Sequence, residues 1–386
     1  MAGGRPGKIS REILRGTLLE EKNMMVDHQI VPDYKYKEIL VERRPLKDFE
    51  GRPVEGLVNT WIIFNNPQQF NSYTTVMVKE TILAFHQASM DRACVAVVFT
   101  AVGDKAFCAG GNTKEYAEYY AGNPQEYKQY MRLFNDMVTG ILICDKPVIN
   151  RVNGLRIAGG QEIGTACDFC IAADTARFGQ AGTKHGSAPD GGATDFLHLY
   201  VGINRAIESC VLCEPWSAQQ AVRFGLINKI VPVLKKKDGA FIRNPFVYEE
   251  ESDEWGNPKY GKFKSGQDKK PAAELAAQCQ TDFTLLDREV ERLCYSIALL
   301  MPECVSKTLQ SLRKKKLEHW QSNCETNRSW LALNMMTEAK AGFRAFNEGP
   351  EGKREVDFIK LRRALAQATP WSEELIESIL PKDESK

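Results

Sequence analysis

Two short glycine turns and one glutamate carry the pattern in this chain that could do chemistry. Cys108-Ala109-Gly110-Gly111 follows an apolar, strand-like run, and Ala158-Gly159-Gly160 follows another, just beyond the turn pair Asn153-Gly154. In the second case the small residues open a segment of helical periodicity, with Ile163, Ala166 and Cys167 on one face. The first N–H groups of a helix have no intrahelical partner, and without side-chain bulk a ligand oxygen can approach them. Glu162 falls in that same first turn, where the helix dipole favours a carboxylate. Two such turns in one α/β chain could direct two N–H groups at a single oxygen, the arrangement that holds an enolate or a tetrahedral oxyanion. An acid/base group would then stand a few residues away. Neither turn matches a phosphate-binding pattern, GxxxxGK[ST] or GxGxxG after a strand.

The elements that must position these groups read as alternating strands and helices. Residues 36–44 and 57–67 form a hairpin-like pair, with a polar, glycine-containing connection between them. Residues 75–88 have helical spacing. Residues 94–103 are continuously apolar, as expected of a strand covered on both faces. The loop over 104–112 leads into residues 113–120 and then a long helix over about 125–143, ended before Lys146-Pro147. A short strand at 168–173, a loop at 178–195 and helical segments to 213 follow. Residues 216–232 then read as helix, glycine stop, strand. At 234–271 the composition turns to Lys, Gly, Pro and Glu with irregular aromatics, and no regular structure is expected there. From 272 onward the periodicity is helical, broken at Pro302 and Gly349-Pro350. The organisation expected is an arm over 1–35, an α/β core over 36–233, an insertion over 234–271 and a helical region over 272–386.

Composition narrows the function classes. The 386 residues are 43% hydrophobic, enough for a sizeable core, and 51 Lys+Arg against 50 Asp+Glu give a net charge of +1. That balance gives no electrostatic reason to expect nucleic acid or an anionic membrane as partner. The runs Lys235-Lys236-Lys237 and Lys314-Lys315-Lys316 read as solvated faces. No secretory signal and no membrane-spanning run is visible. The eleven cysteines sit mostly in apolar segments, as reduced core thiols of a cytoplasmic protein do. The pairs Cys167/Cys170 and Cys210/Cys213 are too far apart, with flanks too apolar, for a zinc ribbon; buried packing is the expectation and no metal is assigned.

Four stretches, KAFCAGGN at 105–112, VNGLRIAGGQE at 152–162, CDFCIAADTARFGQ at 167–180 and FGLINKIVP at 224–232, together resemble the crotonase (enoyl-CoA hydratase/isomerase) superfamily, in family order. The resemblance implies a spiral of ββα units with a helical C-terminal trimerisation region, an acyl-CoA thioester as substrate, and a homotrimer or homohexamer. It gives the oxyanion N–H groups to Gly111 and Gly159, and the CoA path to Asn71, Ser72, Tyr73, Ala109 and Asn112. Glu162 matches the first catalytic glutamate of the hydratases. Their second glutamate falls on Gly182, which speaks against a two-glutamate hydratase. Asp190 instead aligns with an aspartate used by isomerase and dehalogenase members, while the position used by ring-closing synthases is Pro189 here.

The wording GQAGTKHGSAPDGGATDF, LCEPWSAQQA and the segment at 234–271 are most similar to family members that hydrolyse a ring carbon–carbon bond of a cyclic β-keto thioester in anaerobic aromatic degradation. The resemblance implies two water additions, with Glu162 serving the first and Asp190 the second. Two carboxylates in one pocket would push their pKa values apart and divide acid from base work. No cofactor is implied beyond the coenzyme A of the substrate. His185 is a candidate pocket wall or a structural histidine, and Asp195 a helix cap. Tyr116, Tyr119 and Tyr120 read as packing, in a region that by the resemblance often borders the acyl pocket, and Phe343 and Phe346 as core, with a CoA contact across subunits the alternative. The rivals are a simple enoyl-CoA hydratase, a ring-closing lyase of the same fold and a non-catalytic binding protein.

Overall fold

The computed structural model describes residues 28–249 and 252–382; most of the arm expected at the N-terminus lies outside the described residues. Strand β1 (Ile39–Lys47) pairs antiparallel with β2 (Pro53–Phe64) across a turn in which Asp48 Oδ1 accepts the N–H groups of Glu50 and Arg52 at 3.0 and 2.8 Å. Three strand pairs then repeat one plan: β3 (Cys94–Ala101) with β4 (Ala106–Cys108), β5 (Val148–Val152) with β6 (Leu155–Ile157), and β7 (Phe169–Ala173) with β8 (Arg177–Gly179). The first strand of each pair enters a six-stranded sheet, ordered β1-β2-β3-β5-β7-β10, where β10 is Lys229–Val231. The second enters a four-stranded sheet, β4-β6-β8-β9, where β9 is Trp216–Ser217. This is the spiral of ββα units that the resemblance implied.

The helices pack against these sheets. Helix α1 (Thr75–Met90) starts where Thr74 Oγ1 accepts the Met77 N–H at 3.0 Å, and α2 (Pro124–Leu142) lays one buried face on the core. Helix α3 (Gly159–Ala166) is buried at every residue. The expected strand over 94–103 is enclosed as its apolar run requires, with Phe99 edge-on to Phe64, Phe85 and Phe107. Helix α4 (Thr284–Ala298) packs on the six-stranded sheet, and the 33-residue α5 (Pro302–Asn334) and α6 (Glu338–Glu348) complete the part of the fold that reaches the site.

Two expectations are corrected here. The 234–271 segment has regular structure: β11 (Leu234–Lys236) pairs with β12 (Phe241–Ile242) and with β13 (Cys279–Thr281), and a helix spans Lys269–Ala276. Strands of two or three residues are too short to show periodicity, and β13 comes from beyond the segment. Lys235 is ion-paired to Asp282 at 2.7 Å, and the Asn244 N–H donates to Asp174 Oδ2 at 2.7 Å, tying the excursion to the core.

Lys316 is likewise no solvated residue. Its Nζ donates to the carbonyls of Thr165, Ala166 and Cys167 at 3.0, 3.2 and 2.9 Å, closing the C-terminus of α3, and burial pushes its pKa down to about 8. A cation at that end also complements the helix dipole. Nearby, Arg313 of the same long helix bonds Asp168 Oδ1 at 2.7 Å in a buried ion pair. Lys316→Met would remove that donor from all three carbonyls, of which only Thr165 keeps another, the Tyr200 hydroxyl at 3.1 Å, among the described residues. It is expected to destabilise the protein by about 1–3 kcal/mol, read as a lower urea midpoint; an unchanged midpoint would show that water replaces the ammonium.

Candidate active site

The two glycine turns meet because the strands that deliver them are neighbours. Strands β4 and β6 run parallel in register Ala106↔Leu155 and Cys108↔Arg156, so both chains leave the sheet on the same side. The approach is close enough to exclude side chains. A Cβ on Gly160 would stand 2.1 Å from the Cys108 carbonyl oxygen, and one on Gly110 would stand 3.0 Å from Ala158 Cβ and 3.3 Å from the Gly159 nitrogen. Gly110 (φ +102°) and Ala158 (φ 53°) both hold positive-φ backbone, each immediately before the residue expected to supply an N–H. The bridge between Tyr73 and Gly111 uses the Gly110 carbonyl and the Asn112 N–H, so the Gly111 N–H takes no part in it. Gly159 is the first residue of α3, so its N–H has no intrahelical acceptor.

Gly111 and Gly159 line one cavity of about 280 Å³ together with Glu162. Its walls come from distant parts of the chain: Tyr73, Tyr116, Met131 and Phe134 on one side, Ile157 and Gln180 to Gly182 on another, and Leu331, Phe343 and Phe346 from the late helices. Glu162 is 6% exposed, and burial pushes its carboxyl up to about 8. The N–H groups of Gly191 and Ala193 oppose that shift by donating to Oε1 at 2.9 and 3.5 Å, while the charges of Asp190 and Asp195 add to it. With Oε1 held by backbone, a protonated Glu162 carries its proton on Oε2. A buried acid near neutrality beside two free amides can move a proton to or from a carbon next to a held carbonyl.

The other expected site residues divide. Tyr73, Ala109 and His185 line the cavity. The His185 ring packs edge-on to Phe346, burial lowers its pKa, and its Nδ1 has no partner among the described residues. Asn71 and Ser72 are buried but not on the cavity wall. Asn71 Nδ2 donates to the carbonyls of Val102 and Ala106 at 3.0 and 2.8 Å, which fastens the loop before β4. Asn112 caps a short helical turn, accepting from Lys114 and Glu115.

Asp190 is not brought to the wall. Its flanking residues Pro189 and Gly191 are there, but its carboxylate accepts from Thr194 Oγ1 at 2.9 Å, and burial raises its pKa. Asp195 is not a cap either. It sits buried inside the turn Ala193–Leu197 and accepts from Asn323 Nδ2 at 2.8 Å, because α5 crosses there.

Sequence reasoning left Tyr116 and Phe343 as packing and did not single out Tyr127, Met131 or Gln180, all of which line the cavity. Tyr127, Met131 and Phe134 share one face of α2, but a face of that spacing reads as core, and this one is both. Cys167, Cys170, Cys210 and Cys213 are buried and unpaired, with Arg156 donating to Cys170 Sγ at 3.4 Å.

Comparison with known proteins follows this geometry. Residues 59–241 match the family described as enoyl-CoA hydratase/isomerase. The chain is 57% identical over 359 residues to the 6-oxocyclohex-1-ene-1-carbonyl-CoA hydrolase of Thauera aromatica, covering 92% of this chain and 95% of that protein. It is 60% identical over 342 residues to the enzyme of the same name from Geobacter metallireducens, covering 88% and 90%. Among solved structures, an enoyl-CoA hydratase from Mycobacterium avium subsp. paratuberculosis shares the fold, with a TM-score of 0.58 and 18% identity over 81% of this chain and 97% of that one. Strand order, convergent glycine turns and extensive identity agree, and the chain belongs to the enoyl-CoA hydratase/isomerase family.

Proposed function

We infer that this chain is a 6-oxocyclohex-1-ene-1-carbonyl-CoA hydrolase, which opens the substrate ring with two waters to give 3-hydroxypimeloyl-CoA, a step of anaerobic benzoyl-CoA breakdown. The observation that carries the chemistry is the Gly111 and Gly159 amides and the Glu162 carboxyl on one cavity, and the relatives' name supports the substrate. In the first step, water oxygen adds to the ring carbon β to the thioester, and the α-carbon takes a proton. In the second, water adds to the ring ketone, the bond from that carbon to the α-carbon breaks, and the electron pair passes to the α-carbon and its thioester oxygen. The α-carbon is then protonated, leaving a carboxylate. Both steps load negative charge on the thioester oxygen, where the amide pair acts. Glu162 can take a proton from each water and return it to the α-carbon, so one carboxylate serves both additions. Asp190, off the wall, adds its charge to the field that raises Glu162.

The reaction changes no oxidation state overall and calls for no cofactor beyond the substrate's coenzyme A. A homotrimer or homohexamer is supported by exposed apolar residues at Ile203, Ile207 and Val211 and at Leu299, Leu300 and Met301. Eleven unpaired cysteines support a reducing compartment, the cytoplasm. No helix among the described residues is long and apolar enough to cross a membrane. Turnover of 6-oxocyclohex-1-ene-1-carbonyl-CoA in ¹⁸O-water is expected to place one label on the new hydroxyl and one in the new carboxylate. A product with one label and an intact ring, read by mass spectrometry, would make the protein a hydratase.

A further inference from the structure

In the reaction inferred above, the ring ketone and the thioester carbonyl are 1,3-related, so their oxygens lie within a few ångströms of each other. Whatever holds the ketone must therefore stand beside the two amides. Two phenolic hydroxyls occupy that ground. A Cβ on Gly159 would stand 1.8 Å from Tyr73 Oη, and one on Gly111 would stand 1.8 Å from Tyr116 Oη. Each hydroxyl thus rests against the Cα of one donor glycine, and both rings are buried on the cavity wall.

The two are held differently. Tyr116 Oη shares a hydrogen bond of 2.8 Å with Tyr130 Oη, and its ring is wedged edge-on between Tyr127 and Phe343. The Tyr73 ring packs on Phe134, but its hydroxyl has no hydrogen-bond partner among the described residues. Burial holds both phenols well above the usual tyrosine range, so both keep their protons: Tyr73 can donate directly, and Tyr116 can donate when Tyr130 supplies the proton of their shared bond.

We propose that the Tyr73 and Tyr116 hydroxyls form a second carbonyl-binding site, which takes the ring ketone while the Gly111 and Gly159 amides take the thioester. The proposal rests on the ring-opening reading. In the second step, Glu162 removes a proton from water as its oxygen bonds the ketone carbon, and the ketone oxygen becomes an alkoxide held by the two phenols. Collapse of that alkoxide re-forms a C=O bond and breaks the bond to the α-carbon. The electron pair moves into the thioester enolate held by the amides, and Glu162 returns its proton to the α-carbon. Hydration of the C=C bond puts charge mainly on the thioester oxygen and depends less on the phenols.

The test is Tyr73→Phe, with Tyr116→Phe as a second variant, because each keeps the ring that packs. Hydration and ring opening are followed separately by mass spectrometry of 6-oxocyclohex-1-ene-1-carbonyl-CoA turnover. Loss of one such donor typically costs about 10²–10³-fold. Ring opening is expected to fall by about 10²-fold while hydration falls less than about tenfold, so the hydrated, ring-intact thioester accumulates. A merely structural role would lower both rates together. Equal loss of the two steps in both variants, or wild-type ring opening in both, overturns the proposal. If the wild-type protein yields no ring-opened product at all, the functional reading itself fails, and the proposal goes with it.

Discussion

Replacing Glu162 with glutamine is expected to lower turnover by about 10²–10⁴-fold, the usual contribution of a positioned general acid–base group. The amide keeps the size of the carboxyl and its Oε1 can still accept from Gly191, so the fold and the amide pair should persist while proton transfer is lost. The wild-type pH profile carries the same assignment. Burial raises the Glu162 carboxyl from 4.5 to about 8, so at neutral pH the free enzyme holds it mostly protonated. The base form grows as the pH rises through 8, and kcat/KM is expected to climb along a limb near that value and then flatten. The variant should lack the limb. Stability runs the other way: a carboxyl whose pKa is raised on folding favours the folded state fully below 4.5, and that contribution is lost as the pH rises through 8. A flat wild-type profile between pH 6 and 9, or a Glu162→Gln variant with turnover within about tenfold of wild type, would remove Glu162 from the mechanism.

Gly160→Ala is expected to be nearly as damaging, by a different route. The new Cβ would stand 2.1 Å from the Cys108 carbonyl oxygen and 2.7 Å from its carbon, and both are backbone atoms of a buried strand. Neither can swing aside, so the N-terminus of α3 must back away from β4. Forcing extra volume into a packed interior typically costs about 1–3 kcal/mol. The larger consequence is for the site: moving Gly159 away from Gly111 separates the two N–H groups, and losing one oxyanion donor costs about 10²–10³ in rate. Thermal unfolding and turnover measured on the same preparation check both parts. Wild-type turnover in a folded Gly160→Ala protein would show that the close approach of the turns is not needed. Gly159 differs from its neighbour in kind, since the atom in the way there is the mobile end of Tyr73.

The parts of the molecule legible in the sequence are those written in local pattern. The continuous apolar run at 94–103, the helical face of 75–88 and the glycine stop before Lys229 each appear as strand, helix and turn because burial and backbone freedom act over a few residues. The glycine turns were legible as turns; their meeting is a property of the β4–β6 register, which no local pattern encodes. The same limit explains the errors. Lys316 sits in a run of three lysines and looks solvated, but the long helix carries it across the end of α3. Asp195 precedes a helical stretch and looks like a cap, but Asn323 reaches it from 128 residues away. The short strands at 234–242 gain their order from Cys279–Thr281. The wall residues Tyr116, Leu331 and Phe343 are apolar or aromatic in apolar surroundings, so a cavity face and a core face read alike.

The reaction chamber is assembled from two inheritances. The amide pair and Glu162 lie within residues 59–241, the stretch that matches the family, whereas Leu331, Phe343 and Phe346 come from helices beyond it. Part of the mould for the acyl group is therefore encoded apart from the bond-making apparatus, in a later stretch of gene. Drift in the later stretch can reshape what fits without disturbing how it reacts, and that is where a search for altered ring preference should begin.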